Sequence, residues 1–426
     1  MSSSTNEIVF EVPGSKSITQ RALITSALAE GRSRLSCALD SEDTRLLRQA
    51  LRKFGVDIDD SKDSWEVKGT KGKIKCPEDE IFMGNNGTGI RFLMSFSALC
   101  SGSTVLTGTP RMMERPAGPL LDALKQLGVD AISLNNSGCP PVKITSNGLD
   151  GGVVKLSASI SSQFLSSILL VAPYAKRPIT ITLDGKLVSR PYVDITLRVM
   201  EDFGIGVEEK DSKFYIPLSN YQARKYEIEA DASSASYFFG AAAITSSSIR
   251  IKNLPPNPIQ GDAQFCDILG QMGCKVEKGK DGTVVTGPGL DKLKGIEIDM
   301  SKWPDVVPTL AVVAAFAKGQ TIIKNVEHLR VKETDRIKAV VTELNKIGCK
   351  AIELPDGMII NGNPSGLKAA EIKTYDDHRI AMCFAIAKLL IPDISFDDKE
   401  VVKKSFPDFW NYWNKLEKEL KDQVTL

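Results

Sequence analysis

Apolar and polar positions repeat along this chain with a long period. Five segments carry apolar residues at helical spacing, reach a glycine, and continue into a run typical of a strand. Successive glycines of this kind lie 69 to 76 residues apart, at Gly55, Gly128, Gly204, Gly273 and Gly348. A glycine just beyond a helix adopts a positive φ at little cost, so each should end its helix. A sixth helix is predicted from Phe406, without the glycine.

A second set of helices is predicted by stretches that are apolar nearly all round, which is typical of helices buried on most sides. These stretches are TQRALITSALAEG, GIRFLMSFSALCSG, SQFLSSILLVAPYA, SASYFFGAAAITSS, VVPTLAVVAAFAKG and DHRIAMCFAIAKLL. Together the two sets predict six units of about 71 residues, each with two helices and about four strands. The sequence therefore predicts an α/β protein of two domains with three units each. The chain should change domain near Gly14 and Asp231, giving one lobe of residues 1–13 and 231–426 and another of 14–230.

Composition narrows the possible functions. The 426 residues are 42% hydrophobic and carry 54 basic against 53 acidic side chains, which is typical of a globular protein and argues against binding nucleic acid through bulk charge. The eight cysteines form no CxxC pair, and neither His328 nor His378 has a plausible set of metal partners, so we expect buried thiols and no metal. The N-terminus has no signal-peptide character and the apolar runs are too short to span a bilayer, which predicts a cytoplasmic protein.

The stretch RVKETDR, residues 330–336, concentrates charge ahead of a predicted helix. If this stretch is already helical, Lys332 and Arg336 lie four residues apart on one face, with Glu333 beside them. Two cations and a carboxylate in that arrangement suit an anionic substrate that exchanges a proton. The alternative interpretation is a solvated, salt-bridged turn.

The starts of the predicted buried helices also suit anions. GSKSITQRAL is not a Walker A loop, but it places Lys16, Ser17 and Arg21 at a helix start, where free N–H groups favour negative charge. Simple capping by Ser17 or Thr19 would also explain this stretch. GNNGTGIRFL offers three glycines and a first-turn arginine in the same way.

Further candidates follow along the chain. Polar and charged side chains at or near helix starts are Arg115, Ser161, Ser162, Gln163, Ser189, Tyr192, Asp305, Arg379 and Lys404. For Ser161, ordinary N-capping is the competing interpretation. The clustered cations in a near-neutral protein predict a site for two polyanionic small molecules. Asp305 and Glu333 are the carboxylates placed to move protons there.

Several of these motifs, in this order, resemble the 5-enolpyruvylshikimate-3-phosphate (EPSP) synthase family: GSKSITQRAL, GNNGTGIRFL, ERPAG, SSQFLSSILL, SRPYVDIT, DASSAS, QGD, RVKETDR and DDHRIAM. The resemblance covers essentially the whole chain. It implies a two-domain inside-out α/β barrel of six βαβαββ-type repeats, three per domain, with helices buried inside each domain and the substrates in a cleft. That family transfers the enolpyruvyl group of phosphoenolpyruvate to the 5-hydroxyl of shikimate 3-phosphate and releases phosphate.

The resemblance also implies roles for individual residues. Shikimate 3-phosphate would be bound by Lys16, Ser17, Arg21, Ser161, Ser162, Gln163, Ser189, Tyr192, Asp305, His328 and Lys332. Phosphoenolpyruvate would be bound by Lys16, Asn85, Gly87, Arg115, Gln163, Arg336, Arg379 and Lys404. Asp305, Glu333 and Lys16 would be catalytic. No cofactor, metal, nucleic acid or membrane is implied, and we expect a monomer.

Some positions depart from common family patterns. His328 stands where an asparagine is frequent, and Asn86, Gly89 and Phe92 alter the loop that governs competition between glyphosate and phosphoenolpyruvate. The sister family, the UDP-N-acetylglucosamine enolpyruvyl transferases, usually carries a cysteine just before the ERPAG-like motif, and this chain has none there. A non-catalytic repeat scaffold that binds anions is the alternative from another class, but it leaves Asp305 and Glu333 unexplained.

Overall fold

The computed structural model describes residues 7–289 and 291–424. The chain forms two compact units. The terminal unit comprises residues up to Pro13 together with those from Glu229 onwards, and begins with strand β1 (Ile8–Phe10). The central unit runs from Gly14 to Ile228.

The central unit, described throughout, contains six α-helices and twelve strands. Its helices are α1 (Lys16–Leu28), α2 (Glu42–Lys53), α3 (Gly87–Ser97), α4 (Gly118–Gln126), α5 (Ser162–Val171) and α6 (Arg190–Asp202). Its strands are β2 (Arg32–Ser36), β3 (Asp57–Asp59), β4 (Trp65–Lys68), β5 (Ile81–Phe82), β6 (Ser101–Thr107), β7 (Asp130–Ser133), β8 (Val142–Asn147), β9 (Gly152–Ser157), β10 (Ile179–Asp184), β11 (Glu208–Lys210), β12 (Lys213–Ile216) and β13 (Lys225–Glu227).

Helices α1, α3 and α5 form the core of the central unit and contact one another. Their side chains are buried on nearly every side, as the sequence predicts. Each begins at a polar cap, because a helix start leaves backbone N–H groups that need acceptors. The caps are Ser15, Asn86 and Ser161, and their side chains accept from the backbone N–H of Ile18, Gly89 and Gln163. The alternative interpretation, in which Ser17 or Thr19 caps α1, is therefore wrong, since Ser15 is the cap.

Three four-stranded sheets surround this core, and all have the same pattern. Their strand orders are β13-β2-β4-β3, β5-β6-β8-β7 and β9-β10-β12-β11. In each sheet the first pair is parallel and the next two pairs are antiparallel. The strands form open sheets rather than a closed barrel within Gly14–Ile228.

The described part of the terminal unit repeats this plan. Its helices are α7 (Ala232–Thr245), α8 (Phe265–Gln271), α9 (Val307–Ala315), α10 (Arg336–Lys346), α11 (His378–Lys388) and α12 (Phe409–Val424). Its further strands are β14 (Ser248–Ile251), β15 (Lys275–Gly279), β16 (Gly282–Thr286), β17 (Glu297–Asp299), β18 (Gly319–Lys324), β19 (Lys350–Leu354), β20 (Gly357–Gly362), β21 (Glu371–Ile372) and β22 (Ser395–Phe396).

Helices α7, α9 and α11 form the core of the terminal unit and contact one another. Two sheets have the strand orders β1-β14-β16-β15 and β17-β18-β20-β19, again with one parallel and two antiparallel pairs. The third sheet contains only the parallel pair β21-β22. Helix α12 follows it, and its Trp413 packs against Phe238 and stacks on Phe409. The predicted sixth helix therefore begins at Phe409 rather than Phe406. No closed barrel forms among the described residues here either.

The helix-ending glycines behave as predicted. The five glycines have φ between 84° and 109°, a region that costs a side chain with a Cβ more than it costs glycine. At Gly128 a Cβ would also lie 2.2 Å from Oδ2 of Asp150, so that half-exposed side chain would have to move to admit one.

The cysteine prediction is wrong for part of the set. Cys76 and Cys100 form a disulfide in the central unit, which joins the segment after β4 to the residues following α3. Cys37 is exposed rather than buried. Spacing could not reveal the disulfide, because it depends on two segments 24 residues apart meeting in the fold.

Candidate active site

Arg336 is the centre of a buried ion-pair network in the terminal unit. It is the first residue of α10 and only 1% exposed. Its Nη1 donates to Asp305 Oδ1 across 3.1 Å, and its Nη2 donates to Glu333 Oε2 across 2.9 Å. A third carboxylate, that of Asp377, accepts from Nε at 2.7 Å and from Nη2 at 3.2 Å. One guanidinium therefore holds three carboxylates, and two of these are the predicted proton-transfer groups.

Arg379 brings a second guanidinium to the same carboxylate. Its Nη2 donates to Asp305 Oδ2 across 2.7 Å, and Nη1 lies 3.4 Å from the hydroxyl of Tyr237. Asp377 caps α11 by accepting from the backbone N–H of Arg379 at 2.9 Å. Asp377 therefore links the two arginines, since it contacts the side chain of Arg336 and the backbone of Arg379.

This network shifts the pKa values of its members. Burial alone would raise the pKa of Asp305, but Arg379, Lys332 and Arg336 together hold it below its usual value. Burial opposes the charge of Arg336, yet Asp377, Glu333 and Asp305 raise its pKa above normal. The carboxylate of Asp305 is thus held ionised, as a group that accepts a proton must be.

Lys332 and His328 lie near Asp305 on the preceding segment. Lys332 is half-buried and extended, with φ −85° and ψ −154°, and α10 begins only at Arg336. The helical i, i+4 relation predicted for these two cations is therefore wrong; the charged groups meet because the chain bends before the helix. His328 is buried in a 3₁₀ turn, Glu327–Val331, and burial and Lys332 lower its pKa to about 3.

The remaining predicted cation here is Lys404. It ends the 3₁₀ turn Glu400–Lys404 and is buried. Its charge acts on Asp376. Burial raises the pKa of Asp376 above its usual value, and Lys404 opposes part of that shift. Arg330, by contrast, donates to Asp335, Glu353 and two backbone carbonyls, so for this member of RVKETDR the salt-bridged turn is the better description.

In the central unit, Lys16 is held by an acidic residue that the sequence did not single out. Its Nζ lies 3.0 Å from Oδ2 of Asp43, which is buried in the first turn of α2. The backbone carbonyl of Asp43 accepts from Nδ2 of Asn86, the cap of α3, at 2.8 Å. Asp43 thus connects the starts of two buried helices that were predicted to bind anions.

Arg115 lies shortly before α4, and its side chain contacts the loop before α3. Its Nη1 donates to both the carbonyl and the side-chain oxygen of Asn85, each at 2.9 Å. A Cβ on Gly87 would lie 2.3 Å from Nη2 of Arg115, so glycine is required for the guanidinium to approach the backbone. Arg115 is extended before Pro116, as predicted.

Arg21 is almost completely buried and hydrogen-bonded within the central unit. Its guanidinium donates to Oγ1 of Thr196 at 2.7 Å, and to the carbonyls of Ser17 and Tyr192 at 2.9 Å each. Burial lowers its pKa to about 10. The contacts join α1 to α6, where Tyr192 lies in the first turn and Ser189 caps the helix in a left-handed conformation.

The start of α5 carries the remaining polar candidates. Ser161 and Ser162 are buried, and Ser161 caps the helix through the backbone N–H of Gln163. The amide of Gln163 donates to Thr88 Oγ1 at 2.9 Å and accepts from Arg91. Arg91 therefore fixes the orientation of Gln163, which gives the first-turn arginine of α3 a structural role.

Each unit thus collects the functional groups its helix starts were predicted to offer. The terminal unit joins two arginines to the ionised carboxylate of Asp305, which suits an anion and a proton transfer. The central unit presents amides, hydroxyls and cations, which suit phosphate and hydroxyl groups. Neither Asp377 nor Asp43 was identified from the sequence. Asp377 could have been found, because an acidic residue directly before a buried helix is a recognisable signal. Within the described residues, no three His, Cys, Asp or Glu side chains group as metal ligands.

The comparison with protein families decides the assignment. The family model of EPSP synthase (3-phosphoshikimate 1-carboxyvinyltransferase) matches residues 2–413. The chain belongs to the EPSP synthase family. A relative from Vibrio atlanticus, called 3-phosphoshikimate 1-carboxyvinyltransferase, is 45% identical over 406 residues, or 94% of both chains. Another of that name, from Trichormus variabilis, is 43% identical over 410 residues, or 95% of both.

Solved structures of the family agree with this fold. An EPSP synthase from Acinetobacter baumannii superimposes with a TM-score of 0.79 at 29% identity, covering 96% of this chain and 95% of that one. The two-domain α/β architecture predicted from the sequence is confirmed at this level. In the part of the chain that the structure describes, no helix is long and apolar enough to cross a membrane.

Proposed function

We propose that this chain transfers the enolpyruvyl group of phosphoenolpyruvate to the 5-hydroxyl of shikimate 3-phosphate and releases phosphate, a step of the shikimate pathway towards chorismate and the aromatic amino acids. The observation that carries this proposal is the position of Asp305 between the guanidinium groups of Arg336 and Arg379. A base in direct contact with two anion-binding guanidinium groups suits a reaction that deprotonates a hydroxyl beside a substrate carrying both a phosphate and a carboxylate. Membership of the EPSP synthase family supports the same reaction.

The reaction proceeds by addition and elimination. Asp305 takes the proton of the 5-hydroxyl as that oxygen attacks C2 of phosphoenolpyruvate, and Glu333 or Lys16 gives a proton to the methylene carbon. The tetrahedral intermediate then loses phosphate, and a proton leaves the methyl carbon so that the double bond forms again. Cations already in place stabilise charge as it moves between carboxylate and phosphate, which is the largest expected contribution.

Both units contribute ligands in this proposal. Phosphoenolpyruvate is bound by Lys16, Asn85, Gly87, Arg115, Gln163, Arg336, Arg379 and Lys404. Shikimate 3-phosphate is bound by Lys16, Ser17, Arg21, Ser161, Ser162, Gln163, Ser189, Tyr192, Asp305, His328 and Lys332. Arg21 donates one N–H group each from Nε, Nη1 and Nη2 to protein acceptors, so in this proposal the second N–H groups on Nη1 and Nη2 contact shikimate 3-phosphate.

We also propose that the chain consists of six repeats, three in each unit, and that the units are the two substrate-binding lobes. The shared strand pattern of five sheets supports this, and the sixth repeat keeps its two helices, α11 and α12, but only the strand pair β21-β22. We propose a monomer, since one chain supplies every proposed ligand. The proposed location is the cytoplasm.

The test is phosphate release from phosphoenolpyruvate by the purified chain in the presence of a chelator. Shikimate 3-phosphate and UDP-N-acetylglucosamine serve as parallel acceptors. We expect release with shikimate 3-phosphate only, and no effect of the chelator, since no step above uses a metal. Release only with the nucleotide sugar would contradict the proposal and favour the sister reaction, and no release with either acceptor would favour an anion-binding scaffold.

A further inference from the structure

The turn before α11 has an unusual backbone. Tyr375 and Asp376 both adopt the left-handed conformation, with φ of 56° and 54°. A left-handed φ is uncommon for a bulky side chain such as that of Tyr375 and costs free energy, so surrounding contacts must stabilise these two residues. The residue after them is Asp377, which joins Arg336 to the start of α11. The conformation of this turn therefore sets the position of Asp377.

A buried carboxylate on α10 holds the turn. Glu343 is fully buried, and its Oε1 accepts from the hydroxyl of Tyr375 across 2.6 Å. Its Oε2 accepts from the backbone N–H of Lys373 across 3.1 Å. Lys346 Nζ lies 2.8 Å from the same oxygen and balances the charge. Hydrogen bonds to a buried charged acceptor are among the stronger ones in proteins.

Helix α10 consequently contacts this segment at two points. Arg336 and Glu343 are seven residues apart on α10, which places them on one face two turns apart. Arg336 binds Asp377, and Glu343 binds Tyr375. Two attachments fix the direction of α10 relative to the start of α11 better than one. The distance between Arg336 and Arg379 depends on that direction.

The opposite side of the turn is held as well. Thr374 is buried, and both its backbone N–H and its hydroxyl donate to Oδ1 of Asp397, each at 2.8 Å. The backbone N–H of Asp377 donates to the carbonyl of Thr374 at 3.0 Å. The left-handed residues are thus enclosed between contacts to α10 and to the segment after β22.

We propose that Glu343 and Tyr375 are positioning residues for phosphoenolpyruvate: they hold the turn that sets Asp377, and through it the two arginines. This inference rests on the proposed function, which assigns Arg336 and Arg379 to that substrate. It predicts a selective effect, because the residues that bind shikimate 3-phosphate lie mostly on other segments. Loosening the turn should weaken phosphoenolpyruvate binding far more than it weakens binding of the acceptor.

The experiment measures kcat and both KM values for Tyr375→Phe, Glu343→Gln and the double variant. Tyr174→Phe is the matched control, because its hydroxyl donates to the carbonyl of Leu28 across 2.6 Å in the central unit. This variant removes a hydrogen-bonded tyrosine hydroxyl away from the turn, one that also accepts from the backbone N–H of Tyr221 across 3.0 Å. A role in stability alone would give Tyr375→Phe and Tyr174→Phe the same kinetic behaviour.

We expect Tyr375→Phe to raise the KM for phosphoenolpyruvate about tenfold, as the loss of one hydrogen bond to a charged group allows. The KM for shikimate 3-phosphate should stay within about twofold. The double variant should raise the KM for phosphoenolpyruvate by less than the product of the two single effects, since the two residues share one contact. An unchanged KM for phosphoenolpyruvate, or an equal rise of both KM values, would overturn the inference.

A second measurement separates this inference from the proposed function. If the unaltered chain releases no phosphate, the proposed function fails, and the turn is then tested by the increase in Tm on adding phosphoenolpyruvate. We expect a smaller increase for Tyr375→Phe than for the unaltered chain and Tyr174→Phe. Equal increases in all three proteins would overturn the inference.

Discussion

Oδ1 of Asp305 accepts a hydrogen bond from Nη1 of Arg336 across 3.1 Å. The proposed base and a proposed phosphoenolpyruvate ligand are therefore direct partners. A substrate anion that binds the guanidinium of Arg336 competes with Asp305 for it. The cations that lower the pKa of Asp305 then interact with the substrate as well. Binding of phosphoenolpyruvate should thus raise the pKa of Asp305 and make it a stronger base when both substrates are present.

Asp305→Asn should consequently separate binding from catalysis. The variant removes a negative charge that competes for Arg336 and Arg379, so we expect the dissociation constant of phosphoenolpyruvate, measured by calorimetry, to fall severalfold. It also removes the proton acceptor, so kcat should fall by about a hundredfold or more. Glu353→Gln is the control, because it removes one carboxylate from the partners of Arg330 instead. Weaker phosphoenolpyruvate binding by Asp305→Asn would contradict the competition.

Glu333→Gln should lower kcat with little change in either KM. Glu333 is buried against Nη2 of Arg336 at 2.9 Å, and glutamine keeps its size and an oxygen acceptor but cannot carry a transferable proton. Steady-state kinetics with each substrate varied in turn would measure this. Full activity would exclude Glu333 as the group that protonates the methylene carbon and leave Lys16 in that role.

Lys16→Met should impair binding and rate together. Its Nζ is the proposed ligand of both substrates and lies beside Asp43, so the substitution also removes a cation from that buried carboxylate. We expect both KM values to rise and kcat to fall by about a hundredfold. Lys176→Met removes the same charge from an exposed pair with Asp150 and should behave like the unaltered chain. A change in only one KM would show that Lys16 serves one substrate.

The sequence predicted the buried helices and their polar starts because those features are local. Apolar residues all round a segment and a polar cap before it can be recognised without knowing any neighbour. It did not predict Asp377 as the partner of Arg336, since the two are 41 residues apart and meet only through packing of α10 against the turn. The bend that brings Lys332 towards Asp305 was missed because α10 was expected to begin one turn too early. Asp335, a good N-cap residue, marks the true start of the helix at Arg336.

The disulfide between Cys76 and Cys100 gives a prediction about stability. Linking residues 24 positions apart restricts the unfolded chain, which in the loop-entropy model stabilises the fold by about 3 kcal/mol. Cys76→Ser should therefore lower the free energy of unfolding in urea by roughly that amount while leaving both KM values unchanged. Cys139→Ser, at a free thiol, is the control. An unchanged free energy of unfolding in oxidising buffer would mean that the bond does not form in solution.

His328 makes the stability of the terminal unit depend on pH. Burial, reinforced by Lys332, lowers its pKa to about 3, against about 6.5 in an unfolded chain. Between these values the unfolded state binds a proton that the folded state excludes, so unfolding becomes easier as the pH falls. The stabilisation is complete above pH 6.5 and is lost progressively towards pH 3. Asp262 acts in the opposite sense, because burial raises its pKa to about 6.

His328→Asn isolates the contribution of the histidine, since Asp262 is present in both proteins and its effect cancels in their difference. We expect the unaltered chain to lose roughly 2 to 3 kcal/mol more of its free energy of unfolding than the variant between pH 6.5 and pH 4.5, or about 1.4 kcal/mol per pH unit. Urea titrations of both proteins at several pH values would measure it. Parallel pH profiles would mean that His328 is solvated enough to protonate in the folded state, and its neutral, buried role beside Asp305 would then be wrong.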